Sequence, residues 1–243
     1  MNIKFEAIRN EIIKLVAANR VLANEGIVDA YGHVSIRNPL NPNEYLLSRS
    51  LSPELVTEDD IYAFTLDGKP VEPNTPTPYL ERFIHGSIYE KRTDIHAVIH
   101  SHADEVLPFS ISETRLQPVI HTASDMGFDV PVWDIRDNFG DTNLLVTNEA
   151  QGRDLAIGLG ENKVVLMRGH GFTAAGRTLI EVVKVAIYLP KNAQIQLEAA
   201  KLGKFKPLSK GEIEVRSLVE PTAPQMVRAW QYWCSKAGVN PGE

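Results

Sequence analysis

Apolar residues at helical spacing open the chain: Phe5, Ile8, Ile12, Leu15 and Leu22, with Asn19 on the same face. The pattern predicts an amphipathic helix within residues 1–26, stopped by Gly26. Its interleaved charges leave no continuous apolar core of the kind a signal peptide needs. Beyond it the period shortens, and residues 32–38 and 45–49 read as the first strands. Thr57 and Asp60 form a capping pair. Residues 61–66, with Asp67 and Gly68 as a turn, then predict a hairpin. Residues 79–90 return to helical spacing. Ala97, Val98 and Ile99 form a buried strand that ends at His100, and residues 163–167 form another that ends at Arg168, Gly169 and His170. Thr178 and Glu181 make a capping box for a long helix to Leu202, with Gly203 beyond it. Pro190, which lacks a backbone donor, is expected to kink that helix. Residues 221–236 are a last helix. Strands mixed with helices before and after them predict an α/β sandwich around a partly antiparallel sheet.

At 243 residues the chain fits one domain spanning 1–243. There is no repeat and no convincing linker. The proline-rich stretch 70–78 reads as a loop feeding a site at Glu81 rather than as a boundary. A net charge of -6 argues against a nucleic-acid partner, and no apolar run approaches the roughly 20 residues that cross a bilayer. The single Cys234 excludes an internal disulfide and a cysteine-based zinc site, and fits a reduced, cytoplasmic setting.

The candidate chemistry lies in Glu81, the His100-Ser101-His102 triplet and His170 between two glycines. Three neutral imidazoles hold a divalent ion and leave a position open for substrate, while a carboxylate remains free to move protons. On a strand, residues two apart face one side, so His100 and His102 converge. Each residue also has a plainer reading. The pair are ordinary strand-end histidines, His170 is a loop histidine, and Glu81 complements a helix dipole. His85, four residues after Glu81 on the same helix face, bonds it or the substrate, or is surface. His33 and His121 lie near expected loops as candidate substrate contacts. His96 reads as structural.

Taken together these residues resemble the class II aldolase/adducin family. In that family a catalytic acid precedes the two metal histidines by nineteen and twenty-one residues, the intervals from Glu81 to His100 and His102. Residues 30–35, 55–61, 97–103, 168–171 and 186–193 match the family's context, and the likeness spans roughly 7–203. It implies a three-layer α/β/α sandwich around a mixed sheet. It also implies one divalent metal per subunit, Mn2+ or Zn2+, on His100, His102 and His170, and a homotetramer. The family's sugar-phosphate aldolases carry Gly-Asn where this chain has Gly32 and His33. They carry a Thr-Pro-Thr/Ser-Gly loop where it has Leu47 to Ser50, and paired serines where it has Tyr79 and Leu80. Those elements hold phosphate, so a ketose phosphate is not expected.

What remains resembles the family's decarboxylase branch, which acts on hydroxylated aromatic or pyridine carboxylates, vitamin B6 degradation included. Residues 79–86, 134–137 and 139–143 carry that likeness. The expected function is metal-dependent decarboxylation of a small-molecule carboxylate. Glu81 would be the proton donor, which asks for a pKa raised toward neutrality. Arg49 suits a second carboxylate, or else forms a surface salt bridge. The alternatives are an aldolase for a non-phosphorylated carbonyl substrate, and an adducin-like interaction module without metal. The intact Glu81 and histidines argue against the module. Epimerases of the family carry Asp in place of the acid.

Overall fold

Seven strands share one sheet in the computed structural model, which describes residues 7–242. They are β1 (His33–Arg37), β2 (Glu44–Ser48), β3 (Ile61–Thr65), β4 (Ala97–Ser101), β5 (Val132–Trp133), β6 (Val164–Met167) and β7 (Gly171–Gly176). The order is β3-β2-β1-β4-β7-β6-β5, antiparallel throughout except for the parallel β5–β6 pair. The eight helices described are α1 (Arg9–Asn24), α2 (Phe83–Lys91), α3 (Leu107–Ser110), α4 (Arg136–Phe139), α5 (Glu149–Leu159), α6 (Leu179–Leu202), α7 (Lys210–Ser217) and α8 (Pro224–Lys236).

The pleat of β4 shows how the layers form. Ala97 and Ile99 point into one apolar core with residues of α1, α6 and α8, while Val98 points into a second with residues of α2 and α5. The sheet is therefore covered on both faces, a three-layer α/β/α sandwich, and its central strands read as apolar runs because neither face meets water. His33 and Ser35 of β1, opposite in parity to Val34 and Ile36 of the first core, face α2.

The amphipathic pattern of the first helix holds: Ile8, Ile12, Leu15, Asn19 and Leu22 are buried, and Phe5 lies outside the described residues. The helix expected over 79–90 begins later. A single tight turn at Leu80–Arg82 precedes α2, and Glu81 sits in that turn rather than in the helix proper. Helix α6 runs through Pro190 as one element and carries the Thr178 cap, whose side chain accepts from the Glu181 amide. The hairpin after β3 returns into the proline-rich stretch. Thr65 N–H donates to Lys69 O at 2.9 Å and Val71 N–H to Ala63 O at 3.0 Å, so residues 69–71 lie along the outer edge of β3. The stretch then turns back, bridging Arg49 at Pro78, and delivers the chain to Glu81. Strands β5 and β7 and helices α3, α4, α5 and α7 were not anticipated. Among the described residues no helix is long and apolar enough to cross a membrane.

Candidate active site

Four side chains converge where β4 and β7 end. His100 is the fourth residue of β4, and His102 follows the last paired residue, Ser101, which turns away to donate from Oγ to Ile27 O. His170 stands in the β6–β7 turn, where Gly169 takes φ +63° and Gly171 brings the backbone against Ser101. Only glycine fits at 171, because a Cβ there would lie 2.1 Å from Ser101 O.

Backbone carbonyls fix the rings. A carbonyl only accepts, so Nδ1–H of His100 donates to Phe172 O at 3.1 Å and Nδ1–H of His170 to Leu144 O at 3.0 Å. In the neutral rings both Nε2 lone pairs then aim inward, each 2.9 Å from Nε2 of His102. His102 supplies one proton at most, which leaves at least one pair of lone pairs in opposition. Glu81, 7% exposed, accepts from Val146 N–H through Oε1 at 2.9 Å, and its Oε2 lies 3.5 Å from Nε2 of both His100 and His170. All four ligand atoms fall within 4.8 Å of one another. Three imidazole nitrogens converging beside a carboxylate are a donor set that fits a divalent metal.

The electrostatics agree. Burial pushes the Glu81 carboxyl up, but His100 and His170 outweigh it and hold the group well below the usual carboxylate range. This corrects the raised value expected from sequence: the free site keeps Glu81 as a carboxylate. Burial, then the neighbouring His100 and His170, bring His102 down to about 4, which keeps the imidazole neutral.

A cavity of about 530 Å³ opens onto Glu81 and His102, walled by Tyr31, His33, Tyr79, Ser50 and Ser52. His33 is thus at the site. His85 is not on the cavity wall; it lies fully buried behind His33, with its Nε2 2.6 Å from Nδ1 of His33. Arg49 is adjacent to the wall through Ser50, but its Nε is engaged by Asp60 Oδ1 at 2.6 Å. His121 is elsewhere: it lines a second cavity of about 580 Å³ with Lys184, Tyr188, Arg216 and Trp233. His96 is exposed. Sequence reasoning missed Val146, Leu144, Ser35 and Tyr89. The first two act through backbone atoms and leave no side-chain signature. The others were findable, since Ser35 shares strand parity with His33 and Tyr89 lies one helical turn beyond His85.

The model of the class II aldolase and adducin N-terminal domain matches residues 13–197. The chain belongs to the class II aldolase and adducin family. It is 35% identical over 240 aligned positions to decarboxylase tropJ of Talaromyces stipitatus, covering 90% of each chain. It is 28% identical over 205 positions to 3,4-dihydroxyphthalate decarboxylase of Arthrobacter keyseri, covering 78% of each. L-fuculose 1-phosphate aldolase from Glaciozyma antarctica superposes with a TM-score of 0.76 at 23% identity, covering 98% of this chain and 93% of that one. At that identity the superposition speaks for the fold.

Proposed function

We propose that this chain is a metal-dependent decarboxylase of a hydroxylated aromatic or pyridine carboxylate, with Glu81 as its proton carrier. The observation that carries the reading is the convergence of three imidazole Nε2 atoms, two of them fixed by backbone carbonyls, on a carboxylate at the wall of a cavity sized for a small ring. The two relatives named as decarboxylases, one of them acting on a dihydroxyphthalate, support the reaction class.

His100, His102 and His170 would hold the ion, and the backbone-anchored Nδ1–H groups of His100 and His170 keep those two rings oriented. When bound, the divalent ion supplies a Lewis acid for the electron pair left on the ring as CO2 departs. Glu81 starts ionised, so it first takes the proton of the ring hydroxyl ortho to the carboxylate. The bond from ring carbon to carboxylate then breaks, CO2 leaves, and Glu81 returns that proton to the ring carbon. The product oxygen regains its proton from solvent, so one proton is consumed in each turnover. Tyr31 and Tyr79 line the cavity and limit water around the reacting carbon. The reading includes one Mn2+ or Zn2+ per subunit, a cytoplasmic setting and a homotetramer, with a solution mass four times the 27.0 kDa chain by light scattering.

The test is CO2 release by metal-loaded protein across a panel of ortho-hydroxy aryl and pyridine carboxylates. Glu81→Gln should keep its metal and lose at least about 100-fold in kcat. Silence across the panel, with condensation of pyruvate or a hydroxyketone onto an aldehyde, would replace this reading with an aldolase.

A further inference from the structure

Behind the cavity wall lies a hydrogen-bonded chain that the reaction as described does not use. Nδ1 of His33 is 2.6 Å from Nε2 of His85, Nδ1 of His85 is 2.6 Å from Ser35 Oγ, and Ser35 Oγ is 2.8 Å from the Tyr89 hydroxyl. His85, Ser35 and Tyr89 are fully buried. His33 and Ser35 are two apart on β1, and His85 and Tyr89 four apart on α2, so a strand face and a helix face interdigitate one polar residue at a time.

Burial fixes the direction of this chain. The Tyr89 oxygen meets the Val98 amide, which can only donate, and Ser35 Oγ, which can accept. If Ser35 donated to Tyr89, the phenolic hydrogen would have no acceptor, at a cost of about 1–3 kcal/mol in a buried site. Tyr89 therefore donates to Ser35. Ser35, with one hydrogen and two neighbours, donates to Nδ1 of His85. His85 must then carry its proton on Nε2 and donate it to Nδ1 of His33. This leaves His33 with its own proton on Nε2, the ring nitrogen with no hydrogen bond among the described residues. A doubly protonated His33 would set two N–H groups against each other, so the same network keeps the ring neutral.

The cavity gives this donor a purpose. No lysine or arginine lines it among the described residues, and the nearby Arg49 Nε is committed to Asp60. A carboxylate about to leave as CO2 surrenders its charge to the ring. A cation bound to it would stabilise the starting state more than the transition state, whereas a neutral N–H orients it with far less of that penalty.

We propose that His33, locked as the Nε2–H tautomer by His85, Ser35 and Tyr89, is the neutral donor that orients the departing carboxylate in the cavity it shares with Glu81. The role rests on the decarboxylase reading above. The tautomer does not, and the experiment separates them. Two-bond 1H–15N spectra of the full-length, zinc-loaded protein labelled in histidine, with His33 assigned by its loss in His33→Gln, should show the proton on Nε2. Tyr89→Phe keeps the shape and removes the terminal donor. It should mix the two His33 tautomers and lower kcat/KM by about 3- to 10-fold at unchanged metal content, since only one tautomer is competent. A purely packing role for Tyr89 would leave that spectrum untouched. His33→Phe should lower kcat/KM by about 10- to 100-fold, the loss expected for a hydrogen bond to a charged group, and His33→Gln should restore part of it. A proton on Nδ1 in the wild type, or His33→Phe within about twofold of wild type, overturns the proposal. If the wild type turns over no acid, the role falls with the reading beneath it, while an Nε2–H spectrum would still uphold the network.

Discussion

Gly171 shows how much of this centre depends on a missing side chain. A Cβ at 171 would press on Ser101 O and lie 3.0 Å from Cα of His102. Gly171→Ala should therefore pry β7 from β4 and displace one metal ligand. The expected result is a metal content below wild type by elemental analysis and a loss of about 1–3 kcal/mol in denaturant melts. His85 makes a second prediction. Burial first, then the neighbouring His100, brings its pKa down from 6.5 to about 3. The unfolded chain takes up a proton below 6.5 that the folded chain refuses. Stability is thus complete above 6.5 and declines as pH falls toward 3, by at most about 1.4 kcal/mol per unit. Urea melts on both sides of 6.5 should show a shallower acid slope in His85→Gln. At this scale the cluster of His100, His102, His170 and Glu81 was legible, because a donor set needs particular side chains at particular intervals. Val146 and Leu144 were not, since any residue supplies an amide or a carbonyl. Leu144 itself takes φ +66°, unusual for a side chain of that kind and without a marker in the sequence.

Helices α2 and α5 meet through glycine, and this contact sets the position of Glu81 at the element level. A Cβ on Gly152 would lie 2.5 Å from Ser87 Oγ and 2.6 Å from Phe83 O, and one on Gly86 would lie 2.1 Å from Leu66 O. Helix α2 is thereby held between α5 and the turn after β3. Gly152→Ala should push α5 off the first turn of α2, lowering stability by about 1–3 kcal/mol and kcat with it. In α7, by contrast, a Cβ on Gly211 meets nothing nearer than 4.0 Å, and Gly211→Ala should be neutral or stabilising by up to about 1 kcal/mol. Thermal melts of the two variants in parallel are the check. The same close packing explains which elements the sequence pattern failed to reveal. Strand β7 reads Gly-Phe-Thr-Ala-Ala-Gly, poor in strand-forming residues because β4 and α6 crowd it, and α5 carries two glycines where neighbours press in. Strands β1, β2, β4 and β6 were visible because their apolar residues face two cores or one.

Across the whole molecule, the two cores lie on the faces of the sheet and the histidine cluster at its strand ends, so the fold should not depend on an ion bound there. Chelator-treated protein should keep its far-ultraviolet spectrum. Added metal at about a hundred times its Kd should raise stability by about 2.7 kcal/mol through binding to the folded state alone. The layered architecture was legible from alternating strand and helix patterns. The strand order was not, because β4 pairs with β1 and β7 across long stretches of chain that no local pattern links. Residues 69–71, which open the stretch read first as a feeder to Glu81, also lie along β3, an outermost strand of the sheet. Pro70, in the middle of that border segment, has no N–H to offer a passing chain, and the opposite margin, β5, is two residues long. Neither border is a template for recruiting further strands. A concentrated solution of this protein is thereby guarded against fibril growth, and Pro70→Thr should show as rising light scattering long before any change in catalysis.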